Sequence, residues 1–272
     1  MSTTVSKEEA IKQLVYSAVD AFADWFQARH EWDIDNPNWT INMKIHNVFI
    51  AALWAELQFH SSLVRSLDSS LWNMLEKLAI NIAWFSYIVD RRVEWPLGLH
   101  QTQWIAELLE KYKRREIRPP ITDDYEFLRV KTTDKSLVTK RHESDYCLID
   151  KETWDYSLIE LKIWWDLDNK KARSEKEALL EQFTILSNSL DEKENIKIYF
   201  ATAYNRYWEW KERKQERVRQ YFWDDELLIW KNFRNFICKM DNWYEIVLSA
   251  YKERAYAIRN CLDSIKSLYL ED

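Results

Sequence analysis

Asp145-Tyr-Cys-Leu-Ile-Asp150, Lys151-Glu-Thr-Trp-Asp155 and Tyr156-Ser-Leu-Ile-Glu-Leu-Lys162 follow one another without a break. The outer segments carry the aliphatic and aromatic residues of strands, and the middle one carries the polar residues of a tight turn. The pattern predicts a hairpin ending in Glu160-x-Lys162. With the turn centred near Thr153, Asp145 falls across from Leu161, beside both Glu160 and Lys162. Strand side chains alternate with period two, so Glu160 and Lys162 share a face. An acid from the first strand then meets an acid and a lysine from the second. Two carboxylates beside a lysine can hold Mg²⁺ and activate water against a phosphodiester.

Three acids compete for the position opposite Glu160. Asp150 is nearer in sequence, but reflection through the same turn sets it against Tyr156, at the turn end. Asp155 lies in the turn and reads as a turn former. Asp145 has the better reach. The plain alternative is a solvated cross-strand charge cluster. Against it stand Leu158, Ile159, Leu161, Ile163, Trp164 and Trp165, which make this strand apolar on nearly both faces. Charges in such surroundings are costly unless paired or metal-bound.

Just downstream, Lys170, Lys171, Arg173 and Lys176 sit on a loop and helix start close to the proposed metal. They suit DNA phosphate contact, and equally a plain solvated helix start. Glu143 has the strand parity of Asp145 and is a candidate accessory metal ligand. Glu56, in the apolar run Ala51-Ala-Leu-Trp-Ala-Glu-Leu57, is a second. Two further basic stretches are candidates for backbone contact: Lys111, Lys113, Arg114, Arg115 and Arg118, and Lys211, Arg213, Lys214, Arg217 and Arg219. The second is interleaved with Glu209, Glu212 and Glu216, as in a salt-bridged helix face.

Working outward, apolar periodicity predicts helices over 6–30, 41–66, 68–91 and 100–116, the first capped by Ser6 with Glu9 and the third by Asp68. Arg118-Pro119-Pro120 stops the fourth. A strand is expected near 125–131, a helix over 172–190, and a strand at Ile196–Ala203 that is apolar on both faces, as in a helix-covered sheet. Helices are expected over about 206–220, 224–239 and 242–269. The division is a helical N-terminal part, 1–120, packed on an α/β core, 121–272, as one compact unit.

An acid, a spacer and Glu-x-Lys across a hairpin, followed by a helix and an apolar strand, resemble the PD-(D/E)xK nuclease superfamily, whose best-known members are type II restriction endonucleases. The resemblance covers roughly 142–204. Ser144 stands where proline usually precedes the first acid, a departure also common in that group. The resemblance implies a mixed sheet flanked by helices and a Mg²⁺-dependent endonuclease cutting a short site in double-stranded DNA. It implies catalytic Asp145, Glu160 and Lys162, with Asp145 and Glu160 on the metal and the lysine orienting or deprotonating water. It also implies a homodimer, since two cuts in a symmetric site call for two active sites. Glu226–Cys238 with Trp243-Tyr-Glu-Ile-Val resembles, weakly, the end of some restriction enzymes. Gln182 lies where some exonuclease-type relatives carry a glutamine, but the tyrosine expected with it is missing. Two other readings stand beside this one: a nuclease of phage defence or repair acting with a partner, and a tryptophan-rich helical interaction protein without catalysis.

Composition narrows the field. The 272 residues contain one glycine, Gly98. A Walker loop, a dinucleotide-binding turn and a hydrolase nucleophile elbow each need several, so no nucleotide cofactor is expected. Five histidines show no paired spacing for zinc, and three scattered cysteines form no disulfide framework, which fits a reducing cytoplasm. No apolar run is long enough to span a membrane, and the start has no signal core. Sixteen tryptophans mostly read as core filling. A net charge of −6 argues against nucleic acid only on average, because a cleft needs local positive potential.

Overall fold

The computed structural model describes residues 6–39, 42, 47–129, 137–162, 168–190, 195–203 and 216–270, with backbone alone at 51, 55, 91, 92, 95, 137, 138 and 140–143. The chain divides into two compact units, Met1–Ile82 with Asp241–Asp272, and Ala83–Met240. Among the described residues no helix is long and apolar enough to cross a membrane.

The first unit is helical. Its α1 (Lys7–Asp33) starts where Ser6 accepts the Glu9 N–H at 3.1 Å, the cap expected from the sequence. Ile11, Val15, Val19, Phe22 and Phe26 form its buried stripe. A short α2 (Val48–Ala51) and a long α3 (Ala55–Ala83) follow. Asp68, expected to cap a separate helix, lies inside α3, because no glycine or proline interrupts the run around it.

The second unit holds a five-stranded sheet in the order β1-β2-β3-β4-β5. Its strands are β1 (Tyr87–Gly98), β2 (Leu137–Asp150), β3 (Tyr156–Lys162), β4 (Ile196–Thr202) and β5 (Leu227–Ile229). The first three pair antiparallel; β3–β4 and β4–β5 pair parallel. The mixed sheet flanked by helices agrees with the expected fold. The helix expected to reach residue 91 ends at Ala83, and β1 takes over. Its Tyr-Ile-Val and Val-Glu-Trp segments suit a strand, and Pro96 could not sit inside a helix. The division expected at residue 120 therefore falls inside this unit, after β1 and α4 (Leu99–Arg114).

Between β3 and β4 runs α5 (Asn169–Ser189), the crossover a parallel pair needs. Asp168 caps it, accepting the Lys171 N–H at 2.8 Å. Leu179, Leu180 and Phe183 of α5 pack with Cys147, Leu158, Ile198 and Phe200 of the sheet and with Ile105 and Leu109 of α4. The opposite face carries Tyr146 and Tyr199 against Phe233 and Phe236 of α7 (Lys231–Cys238), with ring centroids 5.6 and 5.0 Å apart. Residues 125–129 of the strand expected near 125–131 wind instead within a 3₁₀ helix, Thr122–Arg129, that buries Tyr125 and Leu128, and 130–131 lie outside the described residues. Of the helix expected over 206–220, α6 (Glu216–Arg219) is described and 206–215 lie outside the described residues. The one expected over 224–239 divides into a 3₁₀ turn, β5 and α7. Helix α8 (Trp243–Leu270) returns to the first unit and packs along α1.

Candidate active site

The hairpin turn occupies residues 151–154. Asp150 Oδ1 accepts the N–H groups of Glu152 and Thr153 at 2.8 and 3.2 Å, an Asx turn, and Trp154 takes the left-handed conformation at φ 63°. A four-residue loop has its centre between residues rather than on Thr153. The register follows: Tyr146 faces Ile159 and Ile149 faces Tyr156. Continued by one step, it sets Asp145 against Glu160, not Leu161, and Asp150 against Asp155, not Tyr156. Directly opposed residues share a face, so this register is the one that puts Asp145 on the side of Glu160 and Lys162.

A bulge completes the placement. Between the pairs Asp90↔Cys147 and Arg92↔Glu143, β1 advances two residues while β2 advances four. The surplus falls at Ser144–Tyr146, and Ser144 Oγ donates to the Tyr146 carbonyl at 3.0 Å within it. The bulge lies beside the end of the β2–β3 ladder, and Asp145 Oδ2 accepts the Leu161 N–H at 2.8 Å. Bulges re-aim side chains in this way beside active sites.

The Asp145 and Glu160 carboxyls adjoin closely enough to shift one another's titration, Lys162 Nζ lies 2.5 Å from Glu160 Oε1, and Glu175 Oε2 of α5 lies 3.3 Å from the same ammonium. Burial, then the Glu160 charge, pushes the Asp145 carboxyl up to about 6. Burial likewise raises Glu160 against the pull of Lys162. For Lys162, burial acts against the ammonium, but Glu160, Glu175 and Asp145 outweigh it and the pKa rises. Ionised together, these three acids and one lysine leave two negative charges in excess.

Asp150 takes no part in this cluster; it holds the turn and pairs with Lys239 Nζ at 2.7 Å. Glu143 lies in β2 with Arg92 as its cross-strand partner, and its side chain is outside the described part. Glu56 is exposed at the start of α3, in the other unit. Lys170 and Lys171 are exposed in the first turn of α5. Arg173 forms a short ion pair with Glu110 of α4. Lys176, expected beside them at a phosphate, is instead fully buried. It meets Glu226 at 2.8 and 2.9 Å, between the rings of Tyr125 and Phe222. Helical period explains the difference: Lys176 shares the inward face with Leu179, Leu180 and Phe183. Glu226 also accepts from the Tyr125 hydroxyl at 2.8 Å and the Trp223 N–H at 2.9 Å.

Of the other basic stretches, Arg118 pairs with Glu216 at 3.0 Å and Arg219 with Asp224 at 3.0 Å, around a cavity of about 200 Å³ also lined by Arg115 and Tyr112. Lys211, Arg213 and Lys214 lie outside the described residues. Sequence reasoning missed Glu175. Its signal was helical period, since a residue about one turn before Leu179 and two turns before Gln182, both buried, shares their inward face.

Among the described residues no group of three His, Cys, Asp or Glu side chains forms a ready metal cage. Asp145 and Glu160 offer two adjoining, half-buried carboxylates, a donor set suited to a hard cation that keeps most of its waters. The excess negative charge is what one divalent cation neutralises.

A family model described as "Type II restriction endonuclease, HinfI" matches residues 7–255, a span that contains this whole site. No curated protein and no solved structure matches the chain.

Proposed function

This chain belongs to the HinfI family of type II restriction endonucleases, and we propose that it hydrolyses phosphodiester bonds at a short specific site in double-stranded DNA, using Mg²⁺ at Asp145 and Glu160. The observation that carries the reading is the convergence of Asp145, bonded to the Leu161 N–H, with Glu160 and the Lys162 Nζ 2.5 Å from it. Two acids and a lysine on adjoining strands, half-buried and short of positive charge, are built for a cation.

Mg²⁺ bound there would supply Lewis acidity toward the scissile phosphate and lower the pKa of water. The protein's own groups do the positioning. The Leu161 N–H holds the Asp145 carboxylate against rotation. Glu160 is fixed between Asp145 and Lys162. Lys162, kept protonated by three carboxylates, donates to a water or phosphate oxygen and offsets charge that develops in the transition state. Lys170 and Lys171, exposed just beyond β3, are placed for the DNA backbone. Cutting both strands of a symmetric site assigns one copy to each strand, hence a homodimer.

The test is incubation of purified protein with phage DNA and Mg²⁺, beside Glu160→Ala and an EDTA control. Discrete fragments that disappear in the variant and with EDTA are expected. DNA left whole across several substrates, or fragments unchanged by Glu160→Ala, would refute the reading.

A further inference from the structure

We infer that Glu175 is a positioning residue for cleavage: it takes over the Lys162 ammonium when a divalent cation draws on Glu160. The inference rests on the nuclease reading above and names a fourth residue of the same site.

Lys162 Nζ lies 2.5 Å from Glu160 Oε1 and 3.3 Å from Glu175 Oε2. A cation on Glu160 competes for the carboxylate charge that now holds the ammonium, and like charge drives the two apart. Without a second anion, Lys162 would swing into solvent, which is open to it since 31% of its side chain is exposed. Glu175, 20% exposed, is the second anion within reach. The ion pairs support this division of labour. Of the three carboxylates that act on Lys162, Glu160 and Glu175 are the two in ion-pair contact with it. Glu175 meets the cluster through the lysine, 3.3 Å from its ammonium.

Its helix is also unusually well fixed. Within four residues α5 is tied to α4 through Arg173–Glu110, to β3 through Glu175–Lys162, and to the segment before β5 through the buried Lys176–Glu226 pair. A carboxylate on so constrained a helix holds its partner with little loss of order, as supporting residues around metal sites do. Thr202, the Cα partner of Lys162 on β4, adds a buried hydroxyl without a hydrogen-bond partner among the described residues, beside the lysine.

The experiment is a double-mutant cycle on cleavage. Single-turnover rates and DNA affinity are measured for wild type, Glu175→Gln, Lys162→Ala and the double variant, with Glu175→Asp as a milder change. Glu175→Gln is expected to slow cleavage about 10- to 100-fold with DNA affinity within about twofold. Glu175→Asp should fall between it and wild type. In the Lys162→Ala background Glu175→Gln should cost almost nothing further, because the residue acts through the lysine. Wild-type rates in both Glu175 variants would overturn the inference. So would a full additional loss in the Lys162→Ala background, or a loss confined to DNA affinity. Should Glu175→Gln fold poorly, the Glu175→Asp cycle decides alone. Cleavage by wild type that Glu160→Ala abolishes keeps the nuclease reading in all these cases; a wild type that cuts nothing removes both.

Discussion

Replacing Asp145 by asparagine should make the metal-free protein more stable while abolishing cleavage. The carboxyl is raised from 3.8 to about 6, chiefly by burial and then by Glu160. A folded-state pKa above the unfolded one means stability that is complete below about 4 and lost as pH rises through about 6. At about 1.4 kcal/mol per unit, the roughly two-unit rise sets a ceiling near 3 kcal/mol, and partial solvent access reduces it to about 1–3 kcal/mol. Asparagine removes the charge yet retains an oxygen for the Leu161 N–H that Asp145 now accepts at 2.8 Å. At about 2 °C per kcal/mol for a chain of this size, the variant should melt about 2–6 °C above wild type at pH 7.5 in EDTA. The gap should close toward pH 4. Mg²⁺ should raise wild type and leave the variant nearly unmoved, because binding to the folded state alone adds stability. Thermal melts from pH 4 to 8, with and without Mg²⁺, measure all of this. A variant less stable than wild type at pH 7.5, or a gap independent of pH, would refute the reasoning, since that is how an ordinary favourable charge cluster behaves.

His30 gives a titration of opposite sign. Burial, then Arg29, lowers it to about 4, and among the described residues neither ring nitrogen has a hydrogen-bond partner. Between about 6.5 and 4 the unfolded chain takes up a proton that the buried ring refuses, so stability falls with pH, and His30→Phe, which preserves ring packing on Phe26 and Trp39, should flatten that part of the wild-type acid melt; equal acid sensitivity in both would count against it. Lys176→Met should leave Glu226 buried without its cation and cost about 3–5 kcal/mol in chemical denaturation, with Lys176→Met/Glu226→Gln recovering much of it. A single variant as stable as wild type would show the pair to be dispensable. Lys170→Ala with Lys171→Ala should weaken binding similarly for specific and unrelated DNA and shrink the logarithmic salt slope by about 1 for each phosphate contact removed. An unchanged slope would place the DNA elsewhere.

The hairpin, α5 and β4 were legible because each has one dominant signal: strand composition around a polar turn, a capped amphipathic run, and an apolar strand. The register was not legible. It turned on whether the turn centred on Thr153 or between residues, and a single residue moves every side chain to the other face. Nor could the β2 bulge be read, because its surplus shows only against β1, and the Tyr87–Gly98 run borders a helix whose apolar texture continues into it. Lys176 misled for a related reason. Charge marks a residue as a surface candidate, but the position three residues before Leu179 is an inward one, and only tertiary structure brings Glu226 from beyond β4 to meet it.

The choice between a catalytic site and an inert charge cluster comes down to which electrostatic term wins. A structural cluster earns its place when opposite charges balance, as they do for Lys176 and Glu226, where one cation meets one anion and the anion takes two further hydrogen bonds. At the hairpin the balance fails: Asp145, Glu160 and Glu175 face one Lys162, and burial with mutual repulsion outweighs the lysine's attraction at Asp145. Neutral residues of the same shape would hold these strands together better. Sites that do chemistry are where such costs recur, because charge left unsatisfied in the resting protein is satisfied by what binds there. The net charge of −6 fits the same logic. A negative cluster that repels DNA on its own becomes a phosphate site once a divalent cation lies between them, so affinity for DNA at this site should depend on the metal even before any bond is cut.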